Sequence, residues 1–195
     1  MQKTACEDTG AFYQHYPRVA VVVSVSAGGR DNAMTAAWHT AVSKKPPLYC
    51  AVISAGHYTY KLVKESGEFG INFLPVEKAE LVAALGGSKG CQTDKFADFG
   101  VQKDPPLKTG VPVLAEAYTA FECKLVDDLD FHDHHMIIGE IVAVHYCEDV
   151  FQPDGSIDLS KVSPTVYMGC DKYLDLTGCQ ETKIERNASA ARLKA

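Results

Sequence analysis

The amino-acid sequence predicts a mainly β protein, an antiparallel barrel or an α+β fold in preference to a doubly wound sheet. Short apolar or alternating segments of strand length dominate the chain. Only two or three short helical segments lie between them, without a regular strand–helix alternation. The glycine patterns GxGxxG and GxxxxGK[ST] of common nucleotide-binding folds are absent from the sequence. A length of 195 residues is typical of one domain, which we expect to span 1–195 with its core at about 12–180.

Local sequence patterns predict the individual elements. Runs of β-branched or alternating apolar residues predict strands at 18–26, 48–54, 68–74, 118–128 and 135–146. Helices are predicted from Thr59, as the N-cap, to Gly67, at 76–87, and as a short turn at 94–100. Turn residues and prolines predict a long surface connection at 101–116, a loop at 149–164 and a polar tail at 181–195, with a helix as the alternative for the tail.

Composition and charge limit the classes of partner. The chain is 46% apolar and 23% charged, as in an ordinary soluble globular protein. Its net charge is −6 and its basic residues are scattered, which argues against nucleic acid or an anionic membrane as the main partner. No apolar run approaches the ~20 residues that span a bilayer, and the first ten residues lack the pattern of a secretory signal. We therefore expect a cytoplasmic protein.

The cysteines indicate a reducing compartment. Seven cysteines are an odd number, they lie far apart, and none forms a CxxC pair. We expect most of them to be small core residues rather than disulfide partners. Cys50 is close in sequence to a candidate anion-binding turn, but it too is expected in the core.

A stretch of small residues at 31–40 ("DNAMTAAWHT") has two interpretations. Its small side chains leave backbone N–H and C=O groups open to the edge of a flat ring. Met34 and Trp38 would supply an apolar or stacking surface beside that ring. The alternative is a strand of small core residues, which fits the same pattern.

The segment that begins at Ser54 ("SAGHYTY") predicts an anion pocket. Unpaired N–H groups at a helix N-terminus, together with the hydroxyls of Ser54 and Thr59, can bind an anion. His57 can add a donor or a positive charge, and Lys89 and Lys95 can add charge from a later loop. The alternative is a simple N-cap at Thr59. The two segments together indicate a ligand with a planar heterocycle and a phosphate.

A histidine-rich segment at 130–146 ("DFHDHHMIIGEIVAVHY") also has two interpretations. Imidazole and carboxylate groups are good metal ligands, so a metal site is one of them. The other is a histidine beside a different ligand. On a strand, His132 and His134 share one face and His135 lies on the opposite face, so three metal ligands would need a bent backbone. We expect no metal here.

Five segments of the chain carry a family resemblance. "YPRVAVVVSVS", "NAMTAAWHTAVSKKPPLYCAVI", "HYTYKLVKESGEFGINFLP", "TDKFADFG" and "HMIIGEIVAVHY" occur in the order and spacing of flavin reductase-like FMN-binding proteins. The sequence resembles this family over residues 12–147, about two-thirds of the chain, and more weakly at "PTVYMGCDKYLDLTG". The Ala-Trp pair after Met-Thr looks most like the flavoredoxin and archaeal ferric-reductase branch.

The resemblance implies a fold and a cofactor. The fold would be a split barrel of six antiparallel strands in a Greek-key arrangement with small helices. It is usually a homodimer that binds FMN near the subunit interface. The residues along the isoalloxazine ring and ribityl chain would be Asn32, Ala33, Met34, Thr35, Ala36, Ala37 and Trp38. The phosphate would be held by Ser54, His57, Tyr58 and Thr59, helped by Ser88, Lys89 and Lys95.

The resemblance also relates the histidine-rich segment to the flavin. Aligned on Ile-Gly-Glu, Asp133 and His134 take the places of an Asp-His pair, whereas His132 replaces a glycine and His135 a threonine. His134 would face the flavin or the incoming nicotinamide as a catalytic and substrate-binding residue. Tyr173 would close over the site and contact the substrate from the C-terminal segment.

Three functions are compatible with these residues. The first is an FMN-dependent oxidoreductase that takes hydride from NAD(P)H and passes electrons to a flavin, a ferric chelate or another acceptor. The second is a flavoredoxin-like electron carrier without its own nicotinamide site. The third is a degenerate barrel that serves as a dimeric scaffold, against which the polar residues of both segments argue.

Overall fold

Antiparallel strands form most of the structure, a computed structural model that describes residues 1–184 and Ser189. Within these residues, the strands are β1 (Arg18–Val19), β2 (Val21–Ala27), β3 (Arg30–Ala36), β4 (His39–Lys44), β5 (Pro47–Ile53), β6 (Glu68–Phe73), β7 (Lys103–Asp104), β8 (Val113–Leu114), β9 (Thr119–Phe131), β10 (His134–Tyr146), β11 (Val166–Gly169) and β12 (Lys172–Leu174). The helices are α1 (Tyr58–Ser66), α2 (Ala79–Gly87) and α3 (Lys95–Asp98), with 3₁₀ turns at Thr9–His15, Val76–Lys78 and Glu148–Val150. The predicted helix in the tail lies outside the described residues, apart from Ser189.

One large antiparallel sheet has the strand order β3-β2-β6-β9-β10-β5-β4. Its two edge strands, β3 and β4, are joined by only Ala37 and Trp38, so the chain itself links the two edges. The Val52 N–H donates to the Trp38 carbonyl at 2.8 Å across this junction. The mainly β prediction is confirmed. Within residues 1–184 the sheet has seven strands where six were expected, because the backbone departs from strand geometry between β3 and β4.

Two apolar clusters cover the two faces of β2. Val21, Val23 and Val25 point into one cluster, and Val22, with Ala20 just before the strand, points into the other. Alternate residues of a strand face opposite sides, so a strand covered on both sides is mostly apolar. This explains the nearly continuous apolar run from which the strand was predicted, and its buried Ser24 donates to the Pro112 carbonyl at 2.6 Å. The second cluster includes α2 and α3, and these two helices lie against β3.

The helices begin and end close to their predicted bounds. α1 ends where Gly67 takes a φ of +70° and donates its N–H to the Val63 carbonyl. Glycine adopts this left-handed conformation without a steric penalty, so the predicted end is confirmed. Thr59 is not the N-cap, because His57 precedes the first helical residue and Thr59 is the second. Its side chain is buried instead.

The segment 101–116 is more ordered than a surface connection. It contains the β7–β8 pair, and Val113 and Leu114 are buried. The Leu114 N–H donates to Asn72 Oδ1 at 2.9 Å, and the buried Glu122 carboxylate accepts the N–H groups of residues 107–109. The prediction of a surface connection is confirmed for the exposed residues 102–108 and wrong for the buried residues 111–114, where the Asn72 side chain satisfies backbone that packs inward.

Glu122 is a buried carboxylate that organises this loop. Burial alone would raise the pKa of Glu122, but hydrogen bonds from the Leu107 N–H, the His145 side chain and the Lys108 N–H lower it to about 2. The His145 Nε2 atom lies 2.7 Å from Glu122 Oε1. The carboxylate therefore stays ionised at neutral pH and holds the loop against β9.

The cysteines differ from their predicted burial. Cys50 and Cys123 are buried, as expected for core residues, whereas the other five are exposed: Cys6, Cys91, Cys147, Cys170 and Cys179. The prediction was wrong for these five because they lie in loops and near the termini. All seven carry free thiols. Among the described residues, no helix is both long enough and apolar enough to cross a membrane.

Candidate functional site

A groove lies between β3, the start of α1 and the glycine-rich turn that follows α2. Its larger compartment has a volume of about 570 Å³. The residues that line it come from segments far apart in the sequence: Asn32, Met34, Thr35, Gly56, His57, Tyr58, Thr59, Gly86, Gly87, Ser88, Lys89, Gly90, Cys91, Gln92 and Lys95. The two stretches singled out in the sequence therefore meet at one cavity.

A smaller compartment of about 210 Å³ continues the groove. It shares Met34, Thr35 and His57 with the larger one. Its other lining residues are Tyr13, Tyr16, Ala36, Ala37, Trp38, Val52 and His134. We call the larger compartment the polar end of the groove and the smaller one the aromatic end.

A buried amide faces the polar end. Asn32 is 2% exposed, and its Nδ2 donates to Thr59 Oγ1 at 2.7 Å. Within the described part of the chain, Asn32 Oδ1 has no hydrogen-bond partner. An unpaired buried polar atom costs ~1–3 kcal/mol. Gly90 lies so close that a Cβ there would be 2.0 Å from Asn32 Oδ1. Asn32 Oδ1 is therefore an unpaired acceptor in the wall of the cavity, close against the Gly90 turn.

Lys95 brings a buried cation to the same cavity. It is the first residue of α3 rather than part of a loop, and it is 2% exposed. Its Nζ donates to the carbonyls of Ala33, at 2.8 Å, and Leu85, at 2.5 Å. Burial lowers the pKa of Lys95 to about 8, because a poorly hydrated site disfavours the charged form. An ammonium group has three donors, so one remains for an anion.

Of the other residues predicted to bind phosphate, some line the polar end and one does not. His57, Tyr58, Ser88 and Lys89 line the polar end. Ser54 does not line it, and its hydroxyl accepts a long bond of 3.4 Å from the Gly56 N–H. Ser88 Oγ already donates to the Ala84 carbonyl at 2.7 Å. Burial first, and then the charges of His134 and Lys95, lower the pKa of His57, so at neutral pH it offers a hydrogen bond rather than a charge.

The small residues of 31–40 divide between the core and the wall of the groove, and their contact with a flat ring stays a prediction. Ala33 and Ala36 are buried in the two core clusters, as expected for a strand of small core residues. Met34, Thr35 and Trp38 line the groove. Met34 and Thr35 are neighbours that face opposite sides of β3, so the groove runs along the free edge of this edge strand rather than over one of its faces.

The histidine-rich segment forms a hairpin turn and the start of β10. His132 lies in the turn with a φ of +66°, a conformation that favours glycine at the first position of a two-residue hairpin loop. His134 lines the aromatic end, with its ring centroid 5.1 Å from that of Trp38 and its Nδ1 3.1 Å from Asp133 Oδ2. His135 points the other way, and its Nδ1 lies 2.8 Å from Asp128 Oδ1.

Tyr173 lies apart from the groove. It belongs to β12, its ring centroid is 5.4 Å from that of Tyr167, and both rings pack against the second apolar cluster. Tyr173 is missing from the described residues that line either compartment. Its contact with a substrate stays a prediction.

The sequence matches the flavin reductase like domain family over residues 13–173. This chain belongs to that family. A ferric-chelate reductase (NAD(P)H) from Archaeoglobus fulgidus is 31% identical to it over 144 residues, which are 73% of this chain and 83% of that protein.

Solved structures of similar proteins have the same fold. An FMN-binding protein from Thermus thermophilus is 30% identical, with a TM-score of 0.81 over 95% of this chain and 100% of that one. The flavoredoxin of Desulfovibrio vulgaris (Miyazaki F) is 26% identical, with a TM-score of 0.80 over 97% of this chain and 100% of that one. The split-barrel fold predicted for this member of the flavin reductase like family is therefore confirmed.

Several lining residues of this family member were missed in the sequence. Tyr13 and Tyr16 reach the aromatic end from the N-terminal segment, and no local pattern marks them as ligand-facing. Gly90 and Gln92 line the polar end beside Lys89. The signal for these two was the glycine-rich "GGSKGCQ" turn, since glycine permits close backbone approach.

Proposed function

We propose that the protein is an FMN-dependent oxidoreductase that takes its electrons from NADH or NADPH. The observation that carries this proposal is that the unpaired, buried Asn32 and the buried cation Lys95 line one cavity, in a groove that continues to Trp38 and His134. A ligand with hydroxyl groups, an anion and a planar ring fits that order of groups. FMN has all three.

The residues of the groove have separate tasks in this proposal. Bound FMN would supply the hydride-accepting ring. Lys95, Lys89 and the backbone N–H groups at the start of α1 would hold its phosphate, since unpaired N–H groups at a helix N-terminus favour an anion. Asn32 Oδ1 would accept a hydrogen bond from the ligand. Trp38 would cover one edge of the ring.

We propose that His134 forms a hydrogen bond to the part of the flavin ring that is reduced. Asp133 engages its Nδ1, which orients the imidazole and leaves Nε2 as the nitrogen for a ligand. With Nδ1–H held by the Asp133 carboxylate, Nε2 donates a hydrogen bond in the imidazolium form of His134, and that bond would stabilise negative charge that develops on reduction.

The proposed electron donor and acceptor are supported by relatives. The Archaeoglobus protein is named for NAD(P)H and a ferric chelate, and a flavin reductase (NADH) from Kitasatospora aureofaciens is 32% identical over 126 residues. We therefore propose a nicotinamide dinucleotide as donor and a ferric chelate or flavin as acceptor.

Anaerobic spectroscopy tests the proposal. The purified protein should bind FMN, and its flavin absorbance should bleach rapidly on mixing with NADH or NADPH. Protein that stays colourless after FMN is added would disprove the proposal.

A second candidate function is an electron carrier, favoured by the similarity to flavoredoxin. In that case FMN would bind, but its absorbance would bleach only with a reduced protein donor and not with either nicotinamide. The same anaerobic experiment distinguishes the two functions.

We also propose a homodimer in the cytoplasm. Leu129 and Phe131 of β9, and Val144 and Tyr146 of β10, are exposed apolar side chains that a second copy would cover. The seven free thiols agree with a reducing compartment. Sedimentation equilibrium at the mass of one chain would contradict the dimer.

A further inference from the structure

A separate hollow adjoins the aromatic end of the groove. It has a volume of about 550 Å³ and is lined by Phe12, His15, Arg18, Trp38, His39, Thr40 and Val52. Trp38 and Val52 also line the aromatic end, so the two spaces share a wall. None of the residues proposed to hold the FMN phosphate belongs to this hollow.

Two aromatic side chains give the hollow a flat apolar surface. The 3₁₀ turn Thr9–His15 brings the Phe12 ring centroid to 6.1 Å from that of Trp38, with 55° between the ring planes. Phe12 remains 54% exposed although it contacts another ring. A planar ligand in the hollow would cover this exposed ring.

The hollow has a positive charge and no negative one. Among the residues that the structure describes, no acidic side chain lines it, although acidic residues outnumber basic ones in the chain by 25 to 19. Arg18 forms no ion pair with any described residue, and its guanidinium makes only a long contact of 3.4 Å with the His39 carbonyl.

His39 does not share the task of binding an anion. Its Nδ1 lies 2.7 Å from the Tyr49 hydroxyl and its Nε2 2.9 Å from the Val19 carbonyl, so both nitrogens are engaged. Burial is the main cause that lowers the pKa of His39, and the neighbouring Arg18 lowers it further. Arg18 therefore remains as the fixed cation of the hollow.

We propose that this hollow binds a small aromatic carboxylate, with its ring against Phe12 and Trp38 and its carboxylate on Arg18. A guanidinium binds a carboxylate through two parallel hydrogen bonds, and it keeps its charge at every physiological pH. Binding depends on the hollow alone. That the ligand is the second substrate, next to the cofactor, rests on the proposed function.

Calorimetric titration with benzoate and with benzamide tests the proposal, because the two differ in charge but hardly in shape. Benzoate should bind at least about tenfold more tightly, which is the value expected for one charge-assisted pair. It should also change the fluorescence of Trp38, the single tryptophan of the chain. Arg18→Gln should abolish the preference for benzoate.

Two further variants separate the proposal from loss of folding. Lys44→Gln removes one charge from an exposed position on β4 outside the hollow and should keep the preference. Phe12→Leu removes the exposed ring and should weaken benzoate binding about threefold, whether or not Arg18→Gln folds. Equal binding of benzoate and benzamide to the unchanged protein would overturn the proposal.

Titration with ADP-ribose tests whether the hollow binds part of a dinucleotide instead, since ADP-ribose also combines an anionic group with an aromatic ring. If ADP-ribose binds more tightly than benzoate and this binding is lost in Arg18→Gln, the hollow accepts the pyrophosphate of a dinucleotide and the proposal is overturned. Flavin absorbance is recorded in the same samples. Benzoate binding without FMN binding would disprove the proposed function and leave the hollow as an aromatic-acid site.

Discussion

The polar end and the aromatic end of the groove are built in different ways. At the polar end, Asn32, Thr59 and Lys95 are buried and hydrogen-bonded to one another or to backbone carbonyls. At the aromatic end, Trp38 and His134 are partly exposed, and their rings lie 5.1 Å apart without a hydrogen bond between them. A buried, pre-organised site favours affinity, because little order has to be gained on binding. An open aromatic surface suits a substrate that has to bind and leave in each reaction cycle.

This contrast divides the expected effects of substitutions. Changes at the polar end should alter how tightly FMN is held, whereas changes at the aromatic end should alter how fast it is reduced. Three predictions follow this division, in order of decreasing effect.

Gly90→Ala should have the largest effect, at the polar end. The new Cβ would lie 2.0 Å from Asn32 Oδ1, so the turn or the amide must move. Overpacking of this kind costs ~1–3 kcal/mol, which corresponds to a loss of FMN affinity of about 10- to 100-fold. The dissociation constant is measured by flavin fluorescence. Gly110→Ala is the control, because its Cβ would meet only an ordinary contact at 3.8 Å. Equal FMN affinity in both variants would refute the close approach.

His134→Asn should mainly affect the rate of reduction at the aromatic end. Loss of one hydrogen bond to developing charge predicts that the rate of anaerobic bleaching by a nicotinamide falls about tenfold, while FMN affinity changes little. The control is His132→Gly in the same hairpin. Glycine adopts the positive φ of His132 without steric strain, so this change should stabilise the fold by ~0.5–1 kcal/mol. The rate of reduction should stay unchanged. An unaltered rate in His134→Asn would remove the proposed role.

The pH dependence of FMN binding should show the smallest effect. The pKa of Lys95 is lowered to about 8, so its positive charge is present below that pH and is lost as the pH rises through it. The affinity for FMN should therefore fall about threefold between about pH 7 and about pH 9. Riboflavin lacks the phosphate and should show no such loss. Identical pH profiles for the two flavins would show that Lys95 does not meet the phosphate.

The sequence predicted those features that depend on neighbouring residues. The apolar run of β2 reports burial on both faces, and Gly67 marks the end of α1, because each pattern is local. The stretches around Asn32 and Thr59 were recognised separately for the same reason. The N-cap assignment of Thr59 failed because its side chain faces a strand that lies 27 residues away in the chain.

Contacts between distant segments explain the remaining differences. The predicted surface connection at 101–116 fails only at the buried residues 111–114, where the Leu114 N–H donates to Asn72, a residue of another strand. Tyr13 and Tyr16 belong to an N-terminal segment with no pattern of its own, yet they line the aromatic end. The distance of Gly90 from Asn32 likewise depends on how α2 lies against β3.

The sequence by itself determined the fold class, the family and the two stretches that form the polar end. The periodicity of side chains and the preferences of glycine act over a few residues and need no knowledge of the rest of the chain. Only the tertiary structure decided that Asn32 Oδ1 is left without a partner and that Lys95 is buried. It also decided that Arg18 lines a hollow without an ion-pair partner among the described residues. Burial and hydrogen-bond satisfaction are set by segments that meet in space, so no local pattern can report them.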